Sequence, residues 1–111
     1  MRVRKRFGQH FLEPAWVAKV VKAVAAKADD NILEIGPGRA AITRPLAEQC
    51  GRLLAVEVDR DLAAELELSK PGNVTVVLGD VLQIDLAGVL SNWLGAPLGA
   101  SHAVRVVGNL P

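Results

Sequence analysis

At 111 residues the chain has room for one domain and one core, and it is short for an α/β enzyme that must hold both a cofactor and a substrate. Half of the residues are apolar and 23% are charged, the balance of a soluble globular protein, and no apolar run is long enough to cross a bilayer. The net charge of +1 hides an asymmetry: residues 1–27 hold seven Lys or Arg against one Glu, and the rest holds six against eleven acids, so a basic front can attract a polyanion while the acidic remainder serves another ligand.

The opening MRVRKRFGQHFLEP is basic but lacks the apolar block and small-residue cleavage site of a secretion signal, which makes a cytoplasmic protein the expectation. From Pro14 to Lys27, Val17, Val20, Val21 and Val24 recur at helical spacing, with Pro14 suited to a first turn. NILEIG then predicts a short strand, Ala41 to Cys50 a helix with Pro45 tolerated near its start, and RLLAVEVD a second strand. Arg60 to Lys70 predicts a helix stopped by PGN, VTVVLGD a third strand, Leu86 to Leu94 a short helix, and Ala103 to Val107 a fourth, buried strand that runs into GNLP. Strands alternating with helices imply a parallel sheet covered on both faces, whose ligands bind beyond the carboxyl ends of the strands. The single Cys50 is expected to be a buried structural thiol, Trp16 and Trp93 packing residues, and His102 a surface residue.

Chemistry is therefore sought at the strand ends. The first ends in LEIGPGRAAIT, where Gly36 and Gly38 permit unusual dihedrals and close approach of a ligand. Glu34 before them would repel a pyrophosphate but suits an ammonium group, reached directly or through water. Pro37 and Ala40 also depart from the spaced glycines of a dinucleotide fingerprint. Glu57, about twenty residues beyond the turn, is placed to accept hydrogen bonds from vicinal ribose hydroxyls. Asp59 and Asp61 read as helix-start residues, and Asp80 is offered to an adenine amino group. In GNLP, the Asn109 side chain and the Leu110 carbonyl can both accept from an adenine amine and hold its electron density toward an electrophile. The base must first be flipped out or taken from a single strand.

FGQHFL, EIGPGRAAIT, VEVDRDL, GD and GNLP occur in the order and spacing of the ribosomal RNA adenine N6-dimethyltransferases, and from about Lys5 to Pro111 the chain resembles that family. The resemblance implies a Rossmann-like α/β fold with parallel sheet order 3-2-1-4 and S-adenosylmethionine as cofactor, with no metal. It implies dimethylation of N6 of two adjacent adenines near the 3′ end of small-subunit rRNA, within the assembling 30S particle. In that likeness Gln9 and His10 lie over the methionine end, and Leu12 also belongs to the cofactor site. Gly36 and Gly38 form the floor, Glu34 stands beside them, Glu57 holds the ribose, and Asp80 with Val81 frames the adenine. Asn109, Leu110 and Pro111 hold the target base, Asn109 also bordering the cofactor. Arg2, Arg4, Lys5 and Arg6 are expected to meet RNA phosphate, and no membrane is involved.

Three departures stand out. His10 occupies a position where many relatives have Asn, and Ala40 replaces a frequent Gly, a change expected to be small. Family members also continue from the Asn-Leu-Pro motif into an aromatic residue, further strands and a helical C-terminal domain. Residues 1–111 are accordingly expected to be the N-terminal, cofactor-binding part of a methyltransferase domain, inactive alone, with the fourth strand exposed for self-association. The alternatives are a large-subunit rRNA methyltransferase of the macrolide-resistance type, a non-catalytic nucleic-acid-binding relative, and a dinucleotide oxidoreductase.

Overall fold

A computed structural model describes residues 14–97 and 103–108. Four helices and four strands alternate along them: α1 (Pro14–Val24), β1 (Asn31–Ile35), α2 (Thr43–Gln49), β2 (Arg52–Glu57), α3 (Arg60–Ser69), β3 (Val74–Leu78), α4 (Leu86–Leu94) and β4 (Val104–Gly108). The strands form one parallel sheet in the order β3-β2-β1-β4, the order that the resemblance implied.

Successive strand residues face opposite sides of a sheet, and two cores result. Ile32, Leu53 and Ala55 join Val21 of α1, Leu46 and Ala47 of α2 and Leu66 of α3. Leu33, Leu54 and Val56 join Leu90 of α4, with Trp93 packed at the margin. Three helices thus cover one face and one covers the other. Ile32, Leu53 and Leu54 are fully buried, each side chain contributing roughly 1.5–3 kcal/mol of transfer free energy. Cys50 is buried as well, and burial pushes its thiol pKa up, in keeping with a structural role. Trp16, expected to pack, is instead 39% exposed.

Element ends follow local chemistry. Helix α1 stops three residues short of Lys27 because Ala25 turns into the left-handed region (φ 49°). The Val24 carbonyl accepts from the Arg105 guanidinium, which also meets Asp30 at 3.0 Å. Helix α2 starts at Thr43 rather than Ala41, since residues 41 and 42 are spent in a turn. Pro45 falls in its first turn, where a missing N–H costs nothing. As expected, Asp59 begins α3, its carboxylate accepting from the N–H groups of Asp61 and Leu62 at 2.9 and 3.0 Å. Asp85 does the same for α4 through Gly88 N–H.

Strand β4 departs from the buried strand expected of it. Arg105 and Val106 are exposed, Val106 at 63%, and Val104 and Val107 are half-buried. The cause is its edge position: among the described residues it pairs only with β1.

Candidate functional site: the carboxyl ends of β1, β2 and β3

Strand β1 ends at Ile35, and residues 36–42 turn back over the sheet before α2 begins. Gly36 and Gly38 hold φ of 72° and 57°, conformations that side chains resist. A Cβ built on Gly38 would meet nothing within 4 Å, so its backbone faces open space where a ligand can approach. Ala40 also carries positive φ, 68°, while buried. The exchange expected to be small thus sets a methyl group in the left-handed region, where it is strained.

Glu34 and Glu57 close this turn from below. By strand alternation both lie on the sheet face that carries Ile32, Leu53 and Ala55, and both are buried, at 0% and 5% exposure. Glu57 uses both oxygens on backbone: Oε1 accepts from Gly38 N–H and Oε2 from Asp59 N–H, each at 2.9 Å. It therefore ties the glycine turn to the end of β2. A carboxylate has about four lone-pair sites, so each oxygen keeps one for a further donor.

Glu34 is less well served. Its Oε1 accepts from the Thr43 hydroxyl at 2.6 Å, while Oε2 is buried with no hydrogen-bond partner among the described residues. Burial pushes its carboxyl pKa up to about 7; the Thr43 hydroxyl opposes this and the charge of Glu57 reinforces it. Thr43 escaped the sequence reading. The available signal was a hydroxyl nine residues after an acid, on the far side of a glycine turn.

Across the strand ends, Ile35, Gly36, Val56, Val58, Gly79, Asp80, Val81 and Leu82 line a cavity of about 290 Å³. Its walls are mainly apolar, with Leu82 89% and Val58 68% exposed, a surface suited to a flat ring. Asp80 turns one oxygen inward to its own loop, Oδ1 accepting from Leu82 N–H at 2.9 Å, and its main-chain carbonyl accepts from Gln83 and Ile84. Of the cavity wall, only Val81 and Asp80 were read from sequence as framing a base.

The structure therefore brings together Glu34, Gly36, Gly38, Glu57, Asp80 and Val81. Arg2, Arg4, Lys5, Arg6, Gln9, His10, Leu12, Asn109, Leu110 and Pro111 lie outside the described residues, as does His102. What is assembled is an apolar slot for a ring, paired acids beside a glycine turn, and an orphaned buried acceptor that a cationic group would satisfy.

Known proteins share this fold. A dimethyladenosine transferase from Plasmodium falciparum superposes with a TM-score of 0.64 at 19% identity, covering 89% of this chain and 32% of that one. The 23S rRNA methyltransferase ErmE superposes with a TM-score of 0.61 at 23% identity, covering 86% and 46%. At such identities the likeness is one of fold. In sequence, the ribosomal RNA small subunit methyltransferase A of Paracidovorax citrulli is 49% identical over 109 residues, 97% of this chain and 40% of the relative. The chain thus spans about 40% of the length of that relative. The ribosomal RNA adenine dimethylase family profile matches residues 1–111, and with the glycine turn, the paired acids and the sheet order in place, the chain belongs to that family.

Proposed function

We propose that residues 1–111 form the cofactor-binding part of a cytoplasmic enzyme that uses S-adenosylmethionine to dimethylate N6 of two adjacent adenines near the 3′ end of small-subunit rRNA, within the assembling 30S particle. The observation that carries this is the convergence at three strand ends of an apolar slot, the Glu57-clamped glycine turn and the Oε2 of Glu34, which has no partner among the described residues. The small-subunit name of the sequence relative favours this substrate over the large-subunit one.

The cofactor supplies a methyl group on a sulfonium, an electrophile that needs no metal. The residues of the chain bind and orient. Glu57 keeps a lone pair on each oxygen for ribose hydroxyls, Val81 and Asp80 border the ring slot, and Gly38 lets the ligand lie against backbone. Asn109 and the Leu110 carbonyl accept from the adenine amine. With the methyl donor bound, that pair of acceptors would hold the N6 lone pair toward the methyl group that the cofactor supplies, and the N6 proton would pass to solvent. Rate comes from proximity and exclusion of water. The basic residues Arg2, Arg4, Lys5 and Arg6 supply sequence-independent attraction to phosphate; neutralising them should weaken RNA binding and flatten its salt dependence while cofactor affinity stays put.

The test is transfer of labelled methyl from S-adenosylmethionine to small-subunit rRNA by the full-length protein. Adenine N6 should be labelled, and Asn109→Ala should remove most of the activity. An Asn109→Ala protein as active as the wild type, or label on large-subunit rRNA only, would overturn the proposal.

A further inference from the structure

Thr43 belongs to neither the ring slot nor the glycine floor, yet it is the sole hydrogen-bond donor to Glu34 among the described residues. Both side chains are fully buried, and the 2.6 Å contact has the length of a charge-assisted O–H···O bond. It joins the end of β1 to the first residue of α2, spanning the whole turn 36–42. Among the described residues nothing donates to Oε2, and the nearby Gly38 N–H is already committed to Glu57.

From this geometry we propose that Thr43 is a positioning residue: its hydroxyl fixes the Glu34 carboxylate through Oε1 and so reserves Oε2 as the acceptor for the cationic, amino-acid end of the ligand. The proposal rests on the cofactor reading given above. Its physical basis is that a carboxylate removed from water needs donors to stay charged. The neighbours that act on the charge of Glu34 are Thr43, from α2, and Glu57, from β2, with opposite effects. Without the hydroxyl, burial and the charge of Glu57 are unopposed, the carboxyl keeps its proton, and a neutral group has little hold on an ammonium.

The experiment compares ligands that differ at that end. S-adenosylmethionine, S-adenosylhomocysteine and 5′-methylthioadenosine, which lacks the amino-acid end, are titrated into full-length wild type, Thr43→Val and Thr43→Ser. Thr43→Val should weaken the first two ligands at least tenfold and 5′-methylthioadenosine less than twofold, and Thr43→Ser should restore wild-type affinity to within about threefold. The Glu34 carboxyl, followed by carbon NMR, should titrate at higher pH in Thr43→Val than in wild type. Equal weakening of all three ligands would assign Thr43 a merely structural role and overturn the proposal, as would no weakening or an unmoved titration. If Thr43→Val does not fold, Thr43→Ala takes its place under the same criteria. Failure of the wild type to bind S-adenosylmethionine would instead overturn the cofactor reading, and this inference with it.

Discussion

Glu34 keeps its carboxyl at 0% exposure with a pKa near 7 against an ordinary 4.5. Between about those two values the unfolded chain gives up this proton while the folded chain keeps it, so the contribution of Glu34 makes stability fall as pH rises through that window and level off above it. At about 1.4 kcal/mol per unit the decline is about 3 kcal/mol. Urea unfolding from pH 4 to 8 should show this slope in the wild type and lose it in Glu34→Gln; equal slopes would mean that the acid is solvated in the folded state. Asp30 acts in the opposite sense and at lower pH. The Lys27 N–H and the Arg105 guanidinium hold its pKa down, so its contribution is lost as the solution is acidified. At Ala40 the left-handed backbone (φ 68°) costs about 1–2 kcal/mol, and glycine would relieve it while giving up about 0.8 kcal/mol of methyl burial. Ala40→Gly should therefore shift stability by less than about 1 kcal/mol, whereas the branched, overpacked Ala40→Val should cost about 2 kcal/mol or more. Denaturant midpoints of the two variants check this, and a Val variant as stable as the Gly one would contradict the assigned backbone conformation.

At the scale of elements, Arg52 links three of them. From the start of β2 its guanidinium donates to Asn31 Oδ1 at 2.8 Å on β1 and to the Trp93 and Leu94 carbonyls at 3.0 and 3.3 Å at the end of α4. It also lies 5.1 Å from the Trp93 ring centre, a cation–π distance. The last carbonyls of a helix lack partners within it, so Arg52→Ala should cost about 1–3 kcal/mol and loosen α4 first, seen as faster amide exchange over residues 86–94. Unchanged exchange would deny Arg52 that role. Such long-range caps are not legible in sequence, and neither is the end of α1, where Ala25 turns left-handed without a Gly or Asn to mark it. The strands and the acids at their ends were legible, because short near-continuous apolar runs that alternate with helical segments and end in Gly or Asp fit buried parallel strands. The Thr43–Glu34 bond was not, because it depends on how far residues 36–42 fold back. For the same reason the clamp of Glu57 on Gly38 was not legible.

At the scale of the molecule, β4 carries an edge whose outer side pairs with nothing among the described residues, and Val106 stands 63% exposed on it. Unpaired strand edges with apolar faces recruit other strands. We expect this edge to pair with a second copy, so that the chain forms dimers or larger species by light scattering; a stable monomer at high concentration would contradict this. At the carboxyl ends of β1, β2 and β3, Glu57, Gly38 and the slot at Val81 form what we propose to be a site for a nucleoside with a cationic tail. Calorimetric titration of full-length wild type and Glu57→Ala with S-adenosylmethionine, and with NAD in parallel, tests it most directly. Two charge-assisted hydrogen bonds of about 1.5–3 kcal/mol each are at stake. S-adenosylmethionine should bind the wild type, NAD should not, and Glu57→Ala should weaken S-adenosylmethionine at least tenfold; preference for NAD, or equal affinity of the two proteins for S-adenosylmethionine, would contradict the account.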